Sequence, residues 1–593
     1  MIYRPEIDGL RAFAVLPVIF FHAGFEIFSG GFIGVDIFFV ISGYLITLLL
    51  VNDMQDNSFS ILNFYERRAR RLLPALFLVM LSCIPFAWLW MLPDALENFG
   101  QSLVANSFFA NNILLYLTSG YWDLHSEFKP LLHTWSLAVE EQFYLFFPIF
   151  LVCVWSLGIR KILWIIILLS VLSLLLSGWG WRNDPEANFY LAPTRAWELF
   201  IGSITAIFVK NHGIKKNDFL SITGFLAIFL SIFLFNEDTA FPSLYTLIPV
   251  IGTSFIILFS GKGSILAKFL SLKLFVGMGL ISYSAYLWHQ PFFAYSKIFS
   301  TTEVSILIKL LIILFVIIIS FFSWKYVEKP FRNRNEVSRS FIGFVVFFGI
   351  SFFSIFGYFL HNSNGVPSRI FTETEFQRSN HEFKSYQASF FIDDLKIEQS
   401  SEASLAIIGD SYAADISHIF ILHRPDVKHI LLKLDSKQSS SAESLCKDGL
   451  IEKLKSRGIR SIIVSYDDGY NISCISSIIK KIEFNNMQIL FIGTKNFGNN
   501  LNWLARRSKN KRAQLCQRPS QKFLDIENID LTNIPQKNYL SFMSLNGDVS
   551  CIPITNSKGE LISSDRYHLT YAGTEFFGPL FFKDRNLINI LSD

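Results

Sequence analysis

Charge is scarce in this chain: only 17% of its 593 residues are Asp, Glu, Lys or Arg, against about 25% in an ordinary soluble domain. That shortage argues against a cytosolic globular protein. Cysteine is scarce too, with six in all, and no C-x-x-C pair or neighbouring histidine cluster accompanies them. A structural zinc site therefore has no ligand pattern to rest on, and no metal is expected. Internal repeats and low-complexity tracts are missing, which leaves out solenoids and disordered polymers. The formal net charge of +4 is too small to imply a nucleic-acid partner, and the distribution of charge matters more than its sum. No small-residue cleavage site follows the first apolar run, which ends at Phe28 and gives way to another at Phe32, so no cleavable leader is expected.

What is abundant is apolar surface: 51% hydrophobic residues, 63 of them Phe, and a mean hydropathy of +0.39. These residues gather into runs that match the ~20 residues a helix needs to cross a bilayer. Eleven spans are expected, at about 10–28, 32–51, 72–92, 133–155, 161–179, 196–210, 217–235, 243–260, 275–296, 304–324 and 340–360. Ser102 to Leu117 is also apolar, but Asn106, Asn111 and Asn112 interrupt it, so it reads as a re-entrant or interfacial segment. With the N-terminus inside, the inner loops and their edges carry seventeen Lys and Arg and the outer loops four. That bias predicts a cytoplasmic N-terminus. An odd span count then places everything after about Leu360 outside the cytoplasm.

Composition changes at that point. "HNSNGVPSR" and the polar stretch to Ser401 read as a linker, and from Ser404 short β-rich runs alternate with helical ones. The expected division is a membrane domain at 1–335, an additional transmembrane helix at 336–362, a linker at 363–402 and an exported α/β domain at 403–593. Cys83 and Cys153 fall within spans as apolar filler, whereas Cys446, Cys474, Cys516 and Cys551 fall in the exported domain, where disulfides are permitted. Four cysteines allow three pairings. Proximity in sequence favours Cys446–Cys474 with Cys516–Cys551.

The first span, "GLRAFAVLPVIFFHAGF", carries Arg11 and, eleven residues on, His22. Eleven steps make about three helical turns, so both lie on one face, roughly 16 Å apart in depth. Ionisable groups there must face protein or a watery cavity. The second span carries Asp36 at a depth similar to His22, which suits an acid orienting a base, or else a polar clamp between two helices. "FYERRARRLLPAL" packs Arg67, Arg68, Arg70 and Arg71 into an inner loop, either as a topology anchor or as a clamp on phosphate. "LLHTWSLAVEEQFYLFFP" sets His133, Glu140 and Glu141 in the fourth span, with Tyr144 one helical step from Glu140, and "ISYSAYLWHQPFF" sets His289 just before a proline.

"RPEIDGLRAFAVLPVIFFHA", "GGFIGVDIFFVISGYLIT", "RRARRLLPAL", "HTWSLAVEEQFY" and "SYSAYLWHQP" together resemble the acyltransferase-3 family of membrane acyltransferases. More narrowly, the chain resembles bacterial surface-polysaccharide O-acetylases that end in an SGNH-type domain. The resemblance implies ten spans plus one leading to the exported domain, an essential Arg11 and His22, and acetyl-CoA as the cytoplasmic donor; Asp36 and Glu140 are expected in support. It favours the phosphate-clamp reading of Arg67, Arg68, Arg70 and Arg71. No permanently bound cofactor is implied.

In the exported part, "LAIIGDSYAAD" reads as strand, turn and helix start, which puts Ser411 at the carboxyl edge of a sheet. Far downstream, "SSDRYHLTYAG" holds Asp565 and His568 three residues apart. Serine, a base and an acid orienting that base are the parts of a nucleophilic triad, and the pattern resembles the SGNH hydrolase superfamily, an α/β three-layer fold. One departure stands out. The superfamily's Gly-x-Asn-Asp block is not evident; "SYDDGYN" lies near its place, leaving the Ser411 amide and Gly409 or Asn471 as oxyanion donors.

The activity expected from the resemblance is O-acetylation of a surface polysaccharide, foremost lipopolysaccharide O-antigen, by a multi-pass protein of the bacterial inner membrane. The C-terminal domain would be periplasmic. An esterase of polysaccharide or peptidoglycan, and a non-enzymatic glycan transporter or scaffold, are the alternatives. Partners are acetyl-CoA, the glycan acceptor and the bilayer, with no nucleic acid.

Overall fold

The computed structural model describes residues 3–118, 126–236, 238–301, 304–379, 403–432, 449–466, 469–470, 474–498 and 500–592. The chain divides into two compact units, one of residues 1–89 and 95–365, the other of residues 90–94 and 366–593.

Among the described residues the first unit is built of helices, with one isolated bridge between Lys216 and Ser260. Its main elements are α1 (Pro5–His22), α2 (Gly34–Gln55), α3 (Ile61–Trp90), α4 (Pro93–Ser107), α5 (Asn111–Thr118), α6 (Thr134–Val154) and α7 (Ile159–Asn183). They continue with α8 (Ala192–His212), α9 (Asp218–Leu234), α10 (Leu247–Phe259), α11 (Lys273–Leu280), α12 (Ser282–Phe299), α13 (Ile306–Ser323) and α14 (Arg339–Asn362). Among the described residues six helices are long and apolar enough to cross a membrane: Gly31–Gln55, Ile61–Trp90, Thr134–Leu157, Ile159–Asn183, Ile306–Arg332 and Arg339–Asn362. The other five expected spans fall on helices that are shorter, such as α9 and α10, or that carry charge. α1 holds Glu6, Asp8 and Arg11; α8 holds Arg195, Glu198 and Lys210. Such helices are fit for a membrane interior only inside a jacket of apolar ones.

Two local expectations change. The arginine-rich stretch is helix rather than loop: α3 starts at Ile61 and runs unbroken through Arg67–Arg71, because Leu, Arg and Ala are strong helix formers. The asparagine-interrupted segment splits into α4 and α5 around Phe109, whose φ of 51° turns the chain. There Asn111 Nδ2 donates to the Leu131 carbonyl at 3.0 Å and to Thr134 Oγ1 at 2.8 Å.

α1 is gripped through its backbone. A Cβ on Gly34 of α2 would lie 2.1 Å from the Ala14 carbonyl oxygen, and one on Gly279 of α11 would lie 1.8 Å from that of Asp8. Only glycine allows approaches this close.

The second unit is a three-layer α/β domain. Its strands are β1 (Leu405–Gly409), β2 (His429–Leu432), β3 (Ser461–Ser465), β4 (Gln488–Ile492), β5 (Cys516–Gln517), β6 (Tyr539–Leu540) and β7 (Ile552–Pro553). A five-stranded parallel sheet runs in the order β2-β1-β3-β4-β6, with Leu405 opposite both His429 and Ser461; β5 and β7 form a separate antiparallel pair. β1, β3 and β4 are nearly continuous apolar runs, as a sheet covered on both faces requires. Leu405, Ile407, Ile463 and Leu490 pack with Ile416, Phe420 and Phe577 on one face. Ala406, Ile408, Ile462 and Val464 pack with Leu454, Ile478 and Ile482 on the other. α15 (Ser411–His423) and α19 (Tyr571–Phe581) supply the first layer, α16 (Leu450–Ser456) and α17 (Ile475–Phe484) the second; α18 (Gln521–Asn533) and α20 (Arg585–Ser592) complete the unit.

Part of the expected linker belongs to this unit. Phe371 joins its core, and Arg378 makes ion pairs with Glu560 and Glu575. Cys516 of β5 is disulfide-bonded to Cys551, the residue before β7, with Cα atoms 5.1 Å apart. The expected Cys446–Cys474 pairing involves Cys446, which lies outside the described residues.

Candidate functional sites

In the membrane unit Arg11 lines a cavity of about 60 Å³ together with Ser42, Arg68, Arg71, Glu140, Tyr144 and Tyr286, among others. Glu140 is fixed there from two sides: Ser42 Oγ donates to it at 2.6 Å, and Tyr144 Oη, one helical turn on, also donates to it. Arg68 lies over the Tyr144 ring at 5.8 Å. The Nε atoms of Arg68 and Arg71 are buried without a hydrogen-bond partner among the described residues. Three guanidinium groups around one pinned carboxylate make this a cationic cavity with donors to spare, which suits an anion such as phosphate.

The four clustered arginines therefore split. Arg68 and Arg71 enter the cavity. Arg67 does not: it pairs with Asp53 at 2.9 Å. Arg70 does not either, being 2% exposed, bonded to Glu66 at 2.9 Å and donating to the Val337 carbonyl at 2.8 Å. Its role is to hold α3 to the chain before α14. Helical phase explains the split, since residues 68 and 71 share a face three apart while 67 and 70 share the next.

His22 ends α1 and faces other histidines. Its ring centroid is 5.2 Å from that of His289, which is in turn 5.2 Å from that of His133. His289 Nδ1 lies 2.6 Å from the Tyr286 carbonyl, which only accepts, so the proton is on Nδ1 and Nε2 carries the lone pair. Tyr286 links this cluster to the arginine cavity that it lines. Its hydroxyl donates to the His133 carbonyl at 2.9 Å and lies 2.5 Å from Ser136 Oγ. Asp36 stands elsewhere. Its Oδ1 accepts from Arg195 at 2.6 Å, and Glu198 pairs with the same guanidinium at 2.8 Å, all three side chains fully buried. Phe39, Trp135, Phe189 and Phe241 surround that guanidinium. Residue counting set Asp36 at the depth of His22 as its orienting acid, but its side chain is bonded to Arg195 of α8 instead. The missed signal was the Arg195-x-x-Glu198 spacing, one helical step inside an apolar run.

In the α/β unit the strand–turn–helix reading holds. Ser411 opens α15 just past the C-terminal end of β1, with Asp410 as the cap, its side chain accepting from the Tyr412 amide at 2.8 Å. Ser411 Oγ is 2.6 Å from His568 Nε2, and His568 Nδ1 is 2.5 Å from Asp565 Oδ2. Against a carboxylate, Nδ1 donates, which leaves Nε2 as the acceptor for the serine proton. The other carboxylate oxygen, Oδ1, accepts from the amides of Tyr567 and His568, each at 2.9 Å. Serine and histidine are almost wholly buried, while Asp565 keeps 15% of its side chain exposed. Gly409 has a packing reason for being glycine, since a Cβ there would sit 1.9 Å from the Ser465 carbonyl oxygen of β3. Asn471 lies outside the described residues.

Residues 4–325 match the model of the acyltransferase domain family, which is more than half of the chain. The chain belongs to the acyltransferase-3 family. The peptidoglycan O-acetyltransferase OatA of Listeria monocytogenes is 34% identical over 363 residues, 57% of this chain and 57% of that protein. The O-acetyltransferase OatA of Staphylococcus aureus is 31% identical over 361 residues, 57% of this chain and 59% of its own length. The match thus spans somewhat over half the length of these curated relatives. No solved structure matches the chain. This acyltransferase-family chain is a membrane protein in which a helical domain is fused to a parallel-sheet α/β domain.

Proposed function

We propose that the chain moves an acetyl group from cytoplasmic acetyl-CoA through the membrane unit and onto a hydroxyl of a cell-envelope glycan. The observation that carries this reading is the Ser411–His568–Asp565 chain of hydrogen bonds on a protein of an acyltransferase family. Arg68, Arg71 and Arg11 hold the phosphates of the donor. Arg11 and His22 serve the first transfer: an O–H or N–H nucleophile in the membrane unit bonds to the acetyl carbon, the C–S bond breaks, and the nucleophile's proton leaves with the CoA thiol. In the α/β unit Ser411 Oγ attacks the presented acetyl carbonyl while its proton passes to His568 Nε2. The O–H or N–H nucleophile of the membrane unit that presented the acetyl leaves with that proton, and acetyl-serine remains. A sugar hydroxyl then attacks the acetyl-serine and gives its proton to His568. The new ester departs, and the serine recovers its proton. Asp565 holds the tautomer and offsets the imidazolium charge throughout. The Ser411 amide serves as one oxyanion donor.

Peptidoglycan comes first as acceptor, because it is the polymer in the name of the Listeria relative. Lipopolysaccharide O-antigen comes second, and the comparisons lend it no support. The positive-inside count supports a cytoplasmic N-terminus with the α/β domain on the periplasmic side of a bacterial inner membrane.

Membranes holding the full-length protein, radiolabelled acetyl-CoA and each glycan in turn test the proposal. Label in glycan that disappears in Ser411→Ala is the result expected. Label released only as free acetate makes the protein an esterase, and no turnover at all leaves a scaffold or transporter.

A further inference from the structure

Behind the triad lies an ion pair that the transfer chemistry does not use. Asp415, one helical turn along α15 from Ser411, is fully buried, and Lys495, from the loop after β4, is 1% exposed. Lys495 Nζ donates to Asp415 Oδ2 at 2.7 Å, and that same oxygen accepts the backbone N–H of Leu569 at 2.9 Å. Leu569 directly follows His568. One carboxylate oxygen therefore ties the helix that bears the nucleophile to the turn that bears the base.

The lysine also grips the other side of the nucleophile. Its Nζ sits 4.1 Å from the centre of the Tyr412 ring, and the Tyr412 hydroxyl donates to the Lys495 carbonyl at 2.9 Å. Two residues further along the same loop, the Phe497 amide donates to the Arg566 carbonyl at 2.9 Å. Arg566 has a φ of 85°, a left-handed conformation that a non-glycine residue adopts only when its surroundings hold it there. Loop 494–498 thus fastens the Asp565–His568 turn at two points, once directly and once through Asp415.

We propose that Lys495 and Asp415 are positioning residues whose function is to fix His568 Nε2 against Ser411 Oγ. A buried carboxylate without a partner is costly, so Lys495 is what allows a charged acceptor at this place. The acceptor in turn sets the turn's height. A shift of about 1 Å in a catalytic group is enough to lower a rate about 10²-fold. This inference rests on reading Ser411, His568 and Asp565 as an acyl-transfer triad.

A fluorophosphonate probe applied to the full-length protein in membranes reads serine activation directly. Ser411 Oγ forms a bond to phosphorus, fluoride leaves, and the hydroxyl proton passes to His568 Nε2. Two double variants remove the ion pair without stranding a charge. D415N/K495M keeps an oxygen for the Leu569 amide, whereas D415L/K495M keeps none. The expected result is that D415N/K495M labels at least tenfold faster than D415L/K495M, with D415L/K495M about 10²-fold below wild type although both unfold within a few degrees of each other. Equal labelling rates in the two double variants, with wild type labelling normally, overturn the positioning role and leave the pair as packing. If D415L/K495M does not fold, the single variant K495R decides: it keeps the charge but moves the donor, and labelling at the wild-type rate overturns the proposal. Wild-type protein that takes no label at Ser411 overturns the triad reading itself, and the pair's role with it.

Discussion

Asp565→Asn is the substitution for which this structure gives the sharpest expectation. Asp565 Oδ1 accepts two backbone amides at 2.9 Å, and its Oδ2 faces His568 Nδ1 at 2.5 Å. In asparagine, the carbonyl must take the Oδ1 place, because an NH2 there would point at two N–H donors. Its NH2 is then forced towards His568 Nδ1 and has to donate. Nδ1 loses its proton to Nε2, which turns a donor towards Ser411 Oγ and no longer receives the serine proton. The backbone bonds survive, so the fold does as well, and the deficit belongs to the tautomer alone. Triads in this wrong tautomer lose about 10⁴ in rate, which is about 5.5 kcal/mol of transition-state stabilisation. The assay is hydrolysis of p-nitrophenyl acetate by the full-length protein in detergent, at matched abundance, with Ser411→Ala as background. Asp565→Asn activity within tenfold of wild type would refute the tautomer argument.

Three further outcomes follow from the geometry. Arg68→Ala and Arg71→Ala should each raise KM for acetyl-CoA at least tenfold, since a charge-assisted hydrogen bond contributes about 1.5–3 kcal/mol. Arg67→Ala, which loses only its pair with Asp53, should change KM less than twofold in the same titration. Burial holds His418 down to about 4, against an ordinary 6.5. The unfolded chain therefore binds the extra proton as pH falls from about 6.5 to about 4, and the α/β unit loses stability over that window, by about 3 kcal/mol. His418→Gln should flatten that loss, read as unfolding midpoints of the full-length protein at pH 7 and pH 4.5. Removing the Cys516–Cys551 bridge, which spans 35 residues, should destabilise the α/β unit by about 4 kcal/mol on loop-closure entropy. Urea unfolding of C516S/C551S against wild type measures it.

Much of this was legible because the chemistry is local in sequence. "IIGDS" carries its own strand, turn and nucleophile, and Asp565 and His568 stand three apart, so the triad needed the fold only to close 157 residues between Ser411 and His568. The arginine-rich cluster was equally visible, but which two arginines line the cavity depends on the phase of α3, and loop was read where helix continues. Asp36 failed for a related reason. Depth along a span follows from counting residues, whereas rotation about the axis follows from neighbours such as Arg195, which lies 159 residues away. Lys495 gave no signal at all. A lysine in "IGTKNFG" looks like an ordinary loop charge until the sheet brings it beneath Tyr412.

The glycine contacts along α1 bear on the proposed passage of an acyl group. The Ala14 carbonyl lies against Gly34 and the Asp8 carbonyl against Gly279, so α1 is held by backbone contact at two levels. Arg11 and His22 are then two fixed marks on one rigid ruler, roughly 16 Å apart in level. A carrier that rocks between two faces would need such marks to move with it. In the proposed transfer the cargo would change level along a ruler held at two points, which assigns the movement to the donor's own flexible arm rather than to α1.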